Sequence, residues 1–403
     1  MIRPPASFFQ TLRGSLAAST NERLDLAIQA IVKAKQRGGK VVVVTGSGPN
    51  IHEGVTTLIA GMIHRGLIDG AITSSAVVAH EMAGTLDRVK RIPIGADIGP
   101  DVNLPIPADL LPRGGVFELT LLSRAQRSAI QAEMPDGWDL YDCLFAREGN
   151  IVIKAAGNMA WPMGLRIERL ARQVRDLAAE AGVPFERMAG LGADPMTMIG
   201  AGAARNVPVL VSIPQLVGGG AVGMAIGDSI SIAQRSRLIA NLLGTADVIV
   251  ESAIALAQEI HDGPFETYTG HGIWAAWDGL PTYSLRDKVL VRIDLDANLE
   301  RAWNAERAGA GIQNAVDMGL PKTKSTGIPF RMEMSGFVRL AGSIPVTADI
   351  GVAWPLIAHA CEAQLETPLA FIPAPQESNE GQCMRAWIAD CVAPIDVARM
   401  RGA

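Results

Sequence analysis

Apolar positions along the chain follow two alternating periods. Between Leu24 and Val32 they recur every three or four residues, as they do on one face of a helix. The preceding Ser19 and Glu22 have the spacing of a capping box, which predicts the start of that helix. Residues 40–45 then form an apolar, β-branched run without polar alternation, which is typical of a strand buried on both faces of a parallel sheet.

This alternation of a short apolar run and a helical spacing repeats to the end of the chain. One helix is predicted to begin with Asp194 as its N-cap and Pro195 in its first turn. Strand followed by helix predicts an α/β fold with a doubly wound, mostly parallel, Rossmann-like sheet. The later predicted strands are 68–74, 207–212, 246–251, 288–294 and one that ends at Asp349, and later predicted helices are 55–66, 76–86 and 354–363.

Two stretches interrupt this rhythm. Residues 96–142 are rich in Pro and Gly, and we predict an irregular excursion over the surface. Residues 274–342 contain three tryptophans and a Lys/Pro/Gly-rich loop, and we predict an insertion that forms a lid or an oligomer segment. Because no internal repeat or clear linker divides the chain, residues 1–403 are expected to form a single α/β domain.

Composition narrows the class of partner and the compartment. Of 403 residues, 48% are apolar and 19% charged, which excludes a disordered chain. A formal net charge of −5 without a basic block argues against nucleic acid as a partner. No apolar run is long enough to span a bilayer, and the four cysteines have no CxxC spacing. We therefore expect a cytoplasmic protein with reduced thiols and no membrane partner.

The segment after the first predicted strand is a candidate phosphate loop. Parallel sheets bind ligands outside the carboxyl ends of their strands. The segment reads Gly46, Ser47, Gly48, Pro49 and Asn50, and glycines at a helix start let backbone amides approach an anion. The sequence is neither GxGxxG nor a P-loop, so a plain tight turn is an equal alternative.

A histidine and a carboxylate follow the second predicted strand within two helical turns. Ser74 and Ser75 end that strand, and His80 and Glu81 lie on the next helix. A histidine titrates near neutral pH, and an adjacent carboxylate can orient it or accept a proton. The two therefore form a candidate proton-transfer pair, with a pair on an exposed helix surface as the alternative.

Two later Gly-rich segments also follow predicted strands. Gly218 and Gly219 belong to a run of three glycines, which predicts either a ligand contact or a packing turn. Glu251 ends the next strand and precedes a polar segment with His261 and His271. The spacing of these two histidines fits no zinc site, so no metal is expected.

Two isolated charged residues have open interpretations. Lys154 lies in an apolar run, where burial would lower the pKa of its amine, and it can form a Schiff base or bind a carboxylate. The alternative is an edge-strand lysine whose amine reaches water. Asp349 can bind a ribose or a substrate amine, or it can cap the following helix.

Three blocks of the sequence, taken in order, resemble a known family. The first and third resemble the helix, strand and His-acid sequence and the closing strand and helix of the archaeal-type ornithine cyclodeaminases, labelled LOR/SDH. The second resembles the helix, strand and glycine turn near the nicotinamide in deoxyhypusine synthases. The blocks lie in residues 42–82, 192–223 and 344–360 and contain GLIDGAITSSAVVAHEM, GADPMTMIGAGAARNVPVLVSIPQLVGGGAVG and IPVTADIGVAWPLIAHA.

This resemblance implies a deoxyhypusine synthase-like domain that binds NAD at the strand ends and assembles as a homodimer or homotetramer. It implies a small amine or amino acid as substrate, from which NAD takes a hydride to leave an imine. Gly48, Gly218, Gly219 and Glu251 join the predicted cofactor site because they lie at neighbouring strand ends. The cofactor contacts that the resemblance implies are Gly46, Ser47, Asn50, Ser74, Ser75 and Asp349.

The sequence departs from deoxyhypusine synthases at the lysine that forms an imine. Residues 250–256 contain no lysine, and the glycines at 218–220 replace the Asp-Gly of the substrate turn. Transfer to a protein lysine is therefore not expected. The favoured interpretation is an NAD-dependent lyase of the ammonia-lyase or cyclodeaminase type. The alternatives are an NAD-dependent oxidoreductase or amine transferase, similar to homospermidine or deoxyhypusine synthase, and a non-catalytic nucleotide-binding protein.

Each candidate catalytic residue has an expected task in the lyase interpretation. His80 and Glu81 would transfer protons. Asp349 or Glu251 would hold the substrate ammonium, because an acidic lining favours a cation in a dehydrated crevice. Lys154 would bind a substrate carboxylate.

Overall fold

A computed structural model describes residues 4–45, 48–93, 116–154, 159–253, 285, 287–308, 318–319 and 342–401. The strands in these residues form a six-stranded sheet and a smaller three-stranded sheet. The strands are β1 (Val41–Val44), β2 (Gly70–Thr73), β3 (Asp87–Pro93), β4 (Val116–Thr120), β5 (Asn150–Lys154), β6 (Val209–Val211), β7 (Val248–Ser252), β8 (Val289–Asp294) and β9 (Ser343–Thr347).

Helices connect these strands and cover the large sheet. They are α1 (Ala6–Ser15), α2 (Ala18–Gln36), α3 (Gly48–His52), α4 (Val55–His64), α5 (Ser75–Ala83), α6 (Arg124–Glu133), α7 (Trp138–Ala146), α8 (Met163–Ala181), α9 (Phe185–Gly192), α10 (Met198–Arg205), α11 (Gly220–Ser229), α12 (Ile232–Thr245), α13 (Asn298–Arg307), α14 (Ile350–Gln364), α15 (Asn379–Cys391) and α16 (Val397–Arg401). None of the helices in these ranges is long and apolar enough to cross a membrane.

The large sheet is parallel, and its strand order is β6-β2-β1-β7-β8-β9. Numbered by chain order within the sheet, this is 3-2-1-4-5-6, the order of a Rossmann sheet. The order reverses direction between β1 and β7, and ligands of such sheets bind at this switch point. The prediction of a doubly wound, Rossmann-like parallel sheet is confirmed.

Strand β1 is buried because it contributes side chains to two separate apolar cores. Val41 and Val43 of β1 belong to the main core, whereas Val42 and Val44 belong to a smaller core on the other face. All four valines are at most 2% exposed. An uninterrupted apolar run is therefore what this position in the sheet requires.

The excursion predicted at 96–142 is partly regular. Residues 116–142 contain β4, α6 and the start of α7, and β4 joins β3 and β5 in an antiparallel sheet with the order β4-β3-β5. These elements were not predicted from the sequence, because turn residues dominate only the first half of the stretch. That first half, and most of the insertion predicted at 274–342, lie outside the described residues.

Two predicted helix starts differ from the structure. Helix α2 begins at Ala18 with Ala17 as N-cap, so Ser19 and Glu22 lie inside the helix and do not form a capping box. Helix α10 begins at Met198, where the Thr197 hydroxyl accepts a hydrogen bond from the Gly200 amide at 3.1 Å.

The free edge of strand β6 is closed by a buried ion pair. Glu186 and Arg235 are both fully buried, and their charged atoms lie 2.5 Å apart. The Val211 amide donates to Glu186 at 2.6 Å, and the Arg235 guanidinium donates to the Val211 carbonyl at 3.1 Å. These two side chains thus take the place of a neighbouring strand at this residue.

Candidate functional site

Three hydroxyl side chains form a row across the carboxyl edge of the large sheet. Val44 of β1 is paired with Ile72 of β2 and Glu251 of β7, so the next residues, Thr45, Thr73 and Ser252, lie side by side. Because side chains alternate along a strand, all three hydroxyls point to the face of the main core. We call them the hydroxyl row, and the row crosses the switch point between β1 and β7.

Two members of this row are buried without a partner. Thr45 is 0% exposed and Thr73 is 1% exposed, and neither hydroxyl has a hydrogen-bond partner among the described residues. A buried hydroxyl that bonds to nothing is costly, by about 1–3 kcal/mol. Orphaned polar atoms at a switch point therefore suit a bound ligand that supplies the missing bonds.

The third member links three elements around the crevice. The Ser252 hydroxyl donates to the Asn50 side-chain oxygen at 2.5 Å and accepts from the Trp354 indole at 2.8 Å. The Asn50 amide in turn donates to the Ser252 carbonyl at 3.2 Å. Asn50, predicted as a cofactor contact, is fully buried and joins helix α3 to strand β7.

The loop between β1 and α3 is only partly described. Gly46 and Ser47 lie outside the described residues, and Gly48 is the first residue of α3. Strand β1 ends at the switch point of the sheet, where the first strand of this fold is followed by a phosphate-binding loop. The predicted contact of the β1–α3 loop with a cofactor stays a prediction.

Ser74 and Ser75 hold the start of α5 at the same edge. The Ser74 hydroxyl caps α5 by accepting from the Val77 amide at 3.2 Å, and the Ser75 hydroxyl donates to the Gln215 carbonyl at 2.5 Å. Both residues are buried. Ser75 thereby fixes the segment after β6 against helix α5.

His80 lies in a cavity with the predicted glycine turn. The cavity has a volume of about 340 Å³, and we call it the His80 cavity. A Cβ at Gly218 would meet nothing within 4 Å, whereas a Cβ at Gly219 would collide with Ser75. Gly219 is therefore needed for packing, and Gly218 is open. The cavity is lined by Ala76, Ala79, His80, Met159, Trp161, Gly164, Leu165, Glu168 and Gly218 to Gly220.

Glu81 does not lie beside His80 in this cavity. It is fully buried, and its two oxygens accept hydrogen bonds from the Met198 and Ile199 amides at 2.8 and 3.0 Å. Burial raises the pKa of Glu81 to about 7, although these two bonds act in the opposite direction. A carboxylate at the amino end of a helix is favourable, so this position is that of a cap on α10.

Three carboxylates meet between α3 and the carboxyl end of β9. They are Glu53, Asp349 and Glu377, which we call the acidic cluster. Glu53 is 2% exposed and accepts from the Gln376 amide at 2.9 Å. Burial and the charges of Asp349 and Glu377 raise the pKa of Glu53 to about 7, although the bond from Gln376 lowers it.

Asp349 joins this cluster and also caps a helix. Its carboxylate accepts from the Gly351 amide at 2.6 Å at the start of α14. Burial and the charge of Glu377 raise its pKa, against the effect of the Gly351 bond. The sequence analysis left capping and substrate binding open for Asp349, and the structure shows the cap. Glu53 was not predicted from the sequence, where its only signal was an acid beside His52 soon after the first strand.

A histidine and an arginine border the acidic cluster. Arg385 of α15 lies with its guanidinium 3.0 Å from the His52 Nδ1 atom and donates to the Ile153 carbonyl at 2.6 Å. Burial, assisted by the charge of Arg385, lowers the pKa of His52 to about 4. His52 is therefore neutral at physiological pH.

Glu251 lies on the opposite face of the sheet from the hydroxyl row. It is fully buried next to Arg292 of β8, with their charged atoms 3.4 Å apart. Burial raises the pKa of Glu251 to about 7, Arg292 lowers it and Asp294 raises it. The predicted contact of Glu251 with a cofactor stays a prediction.

Lys154 belongs to the small sheet and not to a strand of the large sheet. It belongs to β5, an edge strand of the small sheet, and forms an ion pair with Glu118 of β4. Its pKa is lowered by burial and by Arg91, and raised by Asp87. The structure does not bring Lys154 together with the other predicted catalytic residues.

Within the described ranges, no group of three or more His, Cys, Asp or Glu side chains could hold a metal ion. His261 and His271, which were considered as a metal pair, lie outside these ranges. The four cysteines are free thiols.

Comparison with known proteins gives distant structural likenesses. A conserved LOR/SDH protein from Methanococcus maripaludis S2 is 12% identical with a TM-score of 0.38, over 91% of this chain and 70% of that one. ArgZ, a cyanobacterial arginine dihydrolase, is 14% identical with a TM-score of 0.40, over 88% and 33%. AgrE, solved with ornithine and NAD⁺, is 12% identical with a TM-score of 0.40, over 86% and 34%.

No protein-family model matches the chain, and no curated protein matches it by sequence. The chain spans about a third of the length of ArgZ and AgrE. Structural likeness at such low identity and TM-score says nothing about the reaction. The function of this chain therefore follows only from its own residues.

Proposed function

We propose that this chain is an NAD-dependent enzyme that acts on a small amine or amino acid, of the lyase or cyclodeaminase type. The observation that carries the proposal is the hydroxyl row, whose orphaned Thr45 and Thr73 lie at the switch point of a 3-2-1-4-5-6 sheet. A dinucleotide offers both donors and acceptors to such hydroxyls.

The residues at this edge fit the cofactor. Thr45, Thr73 and the loop that leads into Gly48 would hold it, and the Ser252 network joins β7 to α3 and α14 beneath it. Bound there, NAD supplies the acceptor for a hydride from a carbon that bears an amine.

The acidic cluster would hold the substrate amine. Besides burial, the charges of Asp349 and Glu377 raise the pKa of Glu53, and the charge of Glu377 raises that of Asp349, so a cationic ammonium bound among them would relieve the repulsion. Glu53 directly follows α3, the first helix after β1, and Asp349 follows the carboxyl end of β9. The substrate carbon would thereby come near the switch point.

Glu53 has the pKa of a general base. An amine can release a hydride from its carbon only after the nitrogen has lost its extra proton. A carboxylate with a pKa of about 7 can take that proton near neutral pH and return it to the departing ammonia. Glu53 therefore replaces Glu81, whose two oxygens are occupied by α10, as the proposed proton acceptor.

His80 is still proposed to transfer a proton, but in the His80 cavity and not beside Glu81. It lines the His80 cavity together with Trp161 and the open Gly218. Its helix begins at Ser74 and Ser75, at the end of the strand next to β1. We propose that it exchanges a proton with the part of the substrate or cofactor that enters this cavity.

The proposal is tested by measuring nucleotide binding to the protein and to variants that lack a hydroxyl of the hydroxyl row. The purified protein is denatured and its supernatant analysed for NAD by absorbance and mass, and NAD and NADH binding is measured by calorimetry. Thr45→Val and Thr73→Val should each weaken binding roughly 2- to 10-fold, the effect of one lost hydrogen bond.

Thr57→Val is the matched control, because that hydroxyl is also buried without a partner but belongs to α4 and not to the sheet edge. It should leave NAD affinity unchanged. Absence of nucleotide, together with no binding of NAD or NADP, would reject the proposal. Stoichiometric release of NADH during turnover would favour an oxidoreductase over a lyase.

A further inference from the structure

A second cavity lies at the opposite, amino-terminal edge of the large sheet. It has a volume of about 530 Å³ and lies between β6, helix α12 and the end of α10. Lys40, Asp69 and Pro208, which precede β1, β2 and β6, mark its position at that edge. Its size falls within the range of small-molecule sites, about 300–1,000 Å³. We call it the β6 cavity.

The backbone of Val209 faces into this cavity. The Pro208 carbonyl accepts from Ala71 of β2, and the Ser212 amide donates to Thr73. Backbone groups alternate along a parallel strand, so residues 208, 210 and 212 turn toward β2, and residues 209 and 211 turn away. Val211 is bonded to Glu186 and Arg235. The described residues provide no partner for the amide or carbonyl of Val209, which lines the cavity and is 7% exposed.

An added β-strand does not fit this edge. Strand β6 has three residues, and the ion pair between Glu186 and Arg235 already covers the outward groups of Val211. A neighbouring strand would need free backbone amides and carbonyls on every second residue of β6. Of the two residues of β6 that turn away from β2, only Val209 has these groups free within the described part of the chain. One donor and one acceptor side by side suit a small ligand.

The charged groups around the β6 cavity are mostly neutralised within the protein. Asp69 forms an ion pair with Lys35 at 2.8 Å. Arg187 donates to the Ala203 carbonyl at 2.8 Å, and Glu186 is bonded as described above. The remaining walls include Val183, Pro184, Val207, Pro208, Leu238 and Leu242. Such walls favour an uncharged, flat, apolar ring over an ion.

We propose that the β6 cavity binds a flat, uncharged heteroaromatic ring with an acceptor nitrogen beside an amino group, as in the aminopyrimidine edge of adenine or cytosine. The ring nitrogen accepts from the Val209 amide, and the amino group donates to the Val209 carbonyl. This site lies at the amino-terminal edge of the sheet, opposite the edge that carries the hydroxyl row. The proposal for this site does not depend on the proposed NAD-dependent reaction.

The experiment is a calorimetric titration of the nucleotide-free protein with adenosine, in which the two variants below separate binding at the β6 cavity from binding at the carboxyl edge. We expect one adenosine to bind per chain. Purine riboside lacks the amino group, so it should bind roughly 2- to 10-fold more weakly, as expected for the loss of one hydrogen bond.

Two variants of α12 locate the site. Asn241→Trp places a large ring at the wall of the β6 cavity and should reduce adenosine affinity at least tenfold. Arg237→Trp, on the same helix but outside the lining, should leave it unchanged. Absence of adenosine binding, equal affinity for purine riboside, or full binding by Asn241→Trp would each overturn the assignment. Failure to bind NADH would count against the proposed function and not against this site, because adenosine binding by the α12 variants tests the β6 cavity separately.

Discussion

Glu53 packs directly against the backbone of Gly351. A Cβ at position 351 would collide with the Glu53 carboxylate, which reaches across from the end of α3 to the first turn of α14. The same carboxylate accepts from the Gln376 amide at 2.9 Å. The absence of a side chain at 351 thus determines how deeply Glu53 is buried, and with it the raised pKa of this group.

Gly351→Ala should therefore impair turnover, although the added methyl group contacts Glu53 and neither the substrate nor the cofactor. The added methyl group displaces the carboxylate toward solvent, where the pKa of Glu53 falls toward its ordinary value. We expect the acidic limb of the pH–rate profile to move to lower pH and kcat to fall. Gly61→Ala is the control, because a Cβ there meets nothing within 4 Å in the middle of α4. An unchanged profile in Gly351→Ala would show that Glu53 does not act as the base.

Replacing the proposed base itself gives the sharpest pH test. With a pKa of about 7, Glu53 is protonated and inactive as a base below that pH, so kcat/KM should rise with pH through about 7. Glu53→Gln should lower kcat roughly 100-fold or more and abolish this limb. A limb that persists in Glu53→Gln with full activity would assign it to another group.

His80 and Glu81, adjacent in the chain, should respond differently to truncation. Glu81→Ala leaves two buried amides of α10 without an acceptor, at a cost of about 1–3 kcal/mol each in the free energy of unfolding. His80→Ala, which removes no acceptor from α10, should reduce turnover and lower the free energy of unfolding by less than Glu81→Ala does. Stability that is equal in both variants would contradict the capping position of Glu81.

The pH dependence of stability follows from four buried carboxyl groups. Burial raises the pKa values of Glu53, Glu81, Asp87 and Glu251 to about 7. Between the unfolded pKa values near 4 and the folded values near 7, the folded state binds more protons, so stability falls as pH rises. His52, with a pKa of about 4, opposes this with one group.

We therefore expect a larger free energy of unfolding at pH 5 than at pH 7.5, measured by urea titration at both values. Glu81→Gln should reduce the difference, since it removes one of the four titrating groups. A free energy of unfolding that increases over this range would contradict the raised pKa values.

The sheet was predictable from sequence because burial on both faces leaves a direct trace. Residues 41–44 carry nothing but valine, and each valine belongs to one of two cores. Helix starts were less predictable, because several residues near a start can serve as caps. Asp194 precedes α10 and does bond to the Met196 amide, but Thr197 is the N-cap of the helix.

The site was predictable only where a residue's position in the chain fixes its position at the sheet edge. Ser74, Ser75 and Asp349 lie at strand ends, as the alternation of strands and helices required. Side-chain direction was not predictable. His80 and Glu81 are neighbours in sequence but project about 100° apart on a helix, so they reach different surroundings. Glu53 acquires its environment from Gly351 and Gln376, which lie about 300 residues further along the chain.

The network of Asn50, Ser252 and Trp354 has a mechanical consequence. It locks α3, β7 and α14 together across the switch point through buried hydrogen bonds, at distances from 2.5 to 3.2 Å. The two strands that flank the crevice, β1 and β7, are paired directly along residues 41–44 and 248–251, and the network attaches α3 and α14 to this pair. Among the described residues, we therefore expect the floor of the crevice to keep its shape while substrate and product exchange.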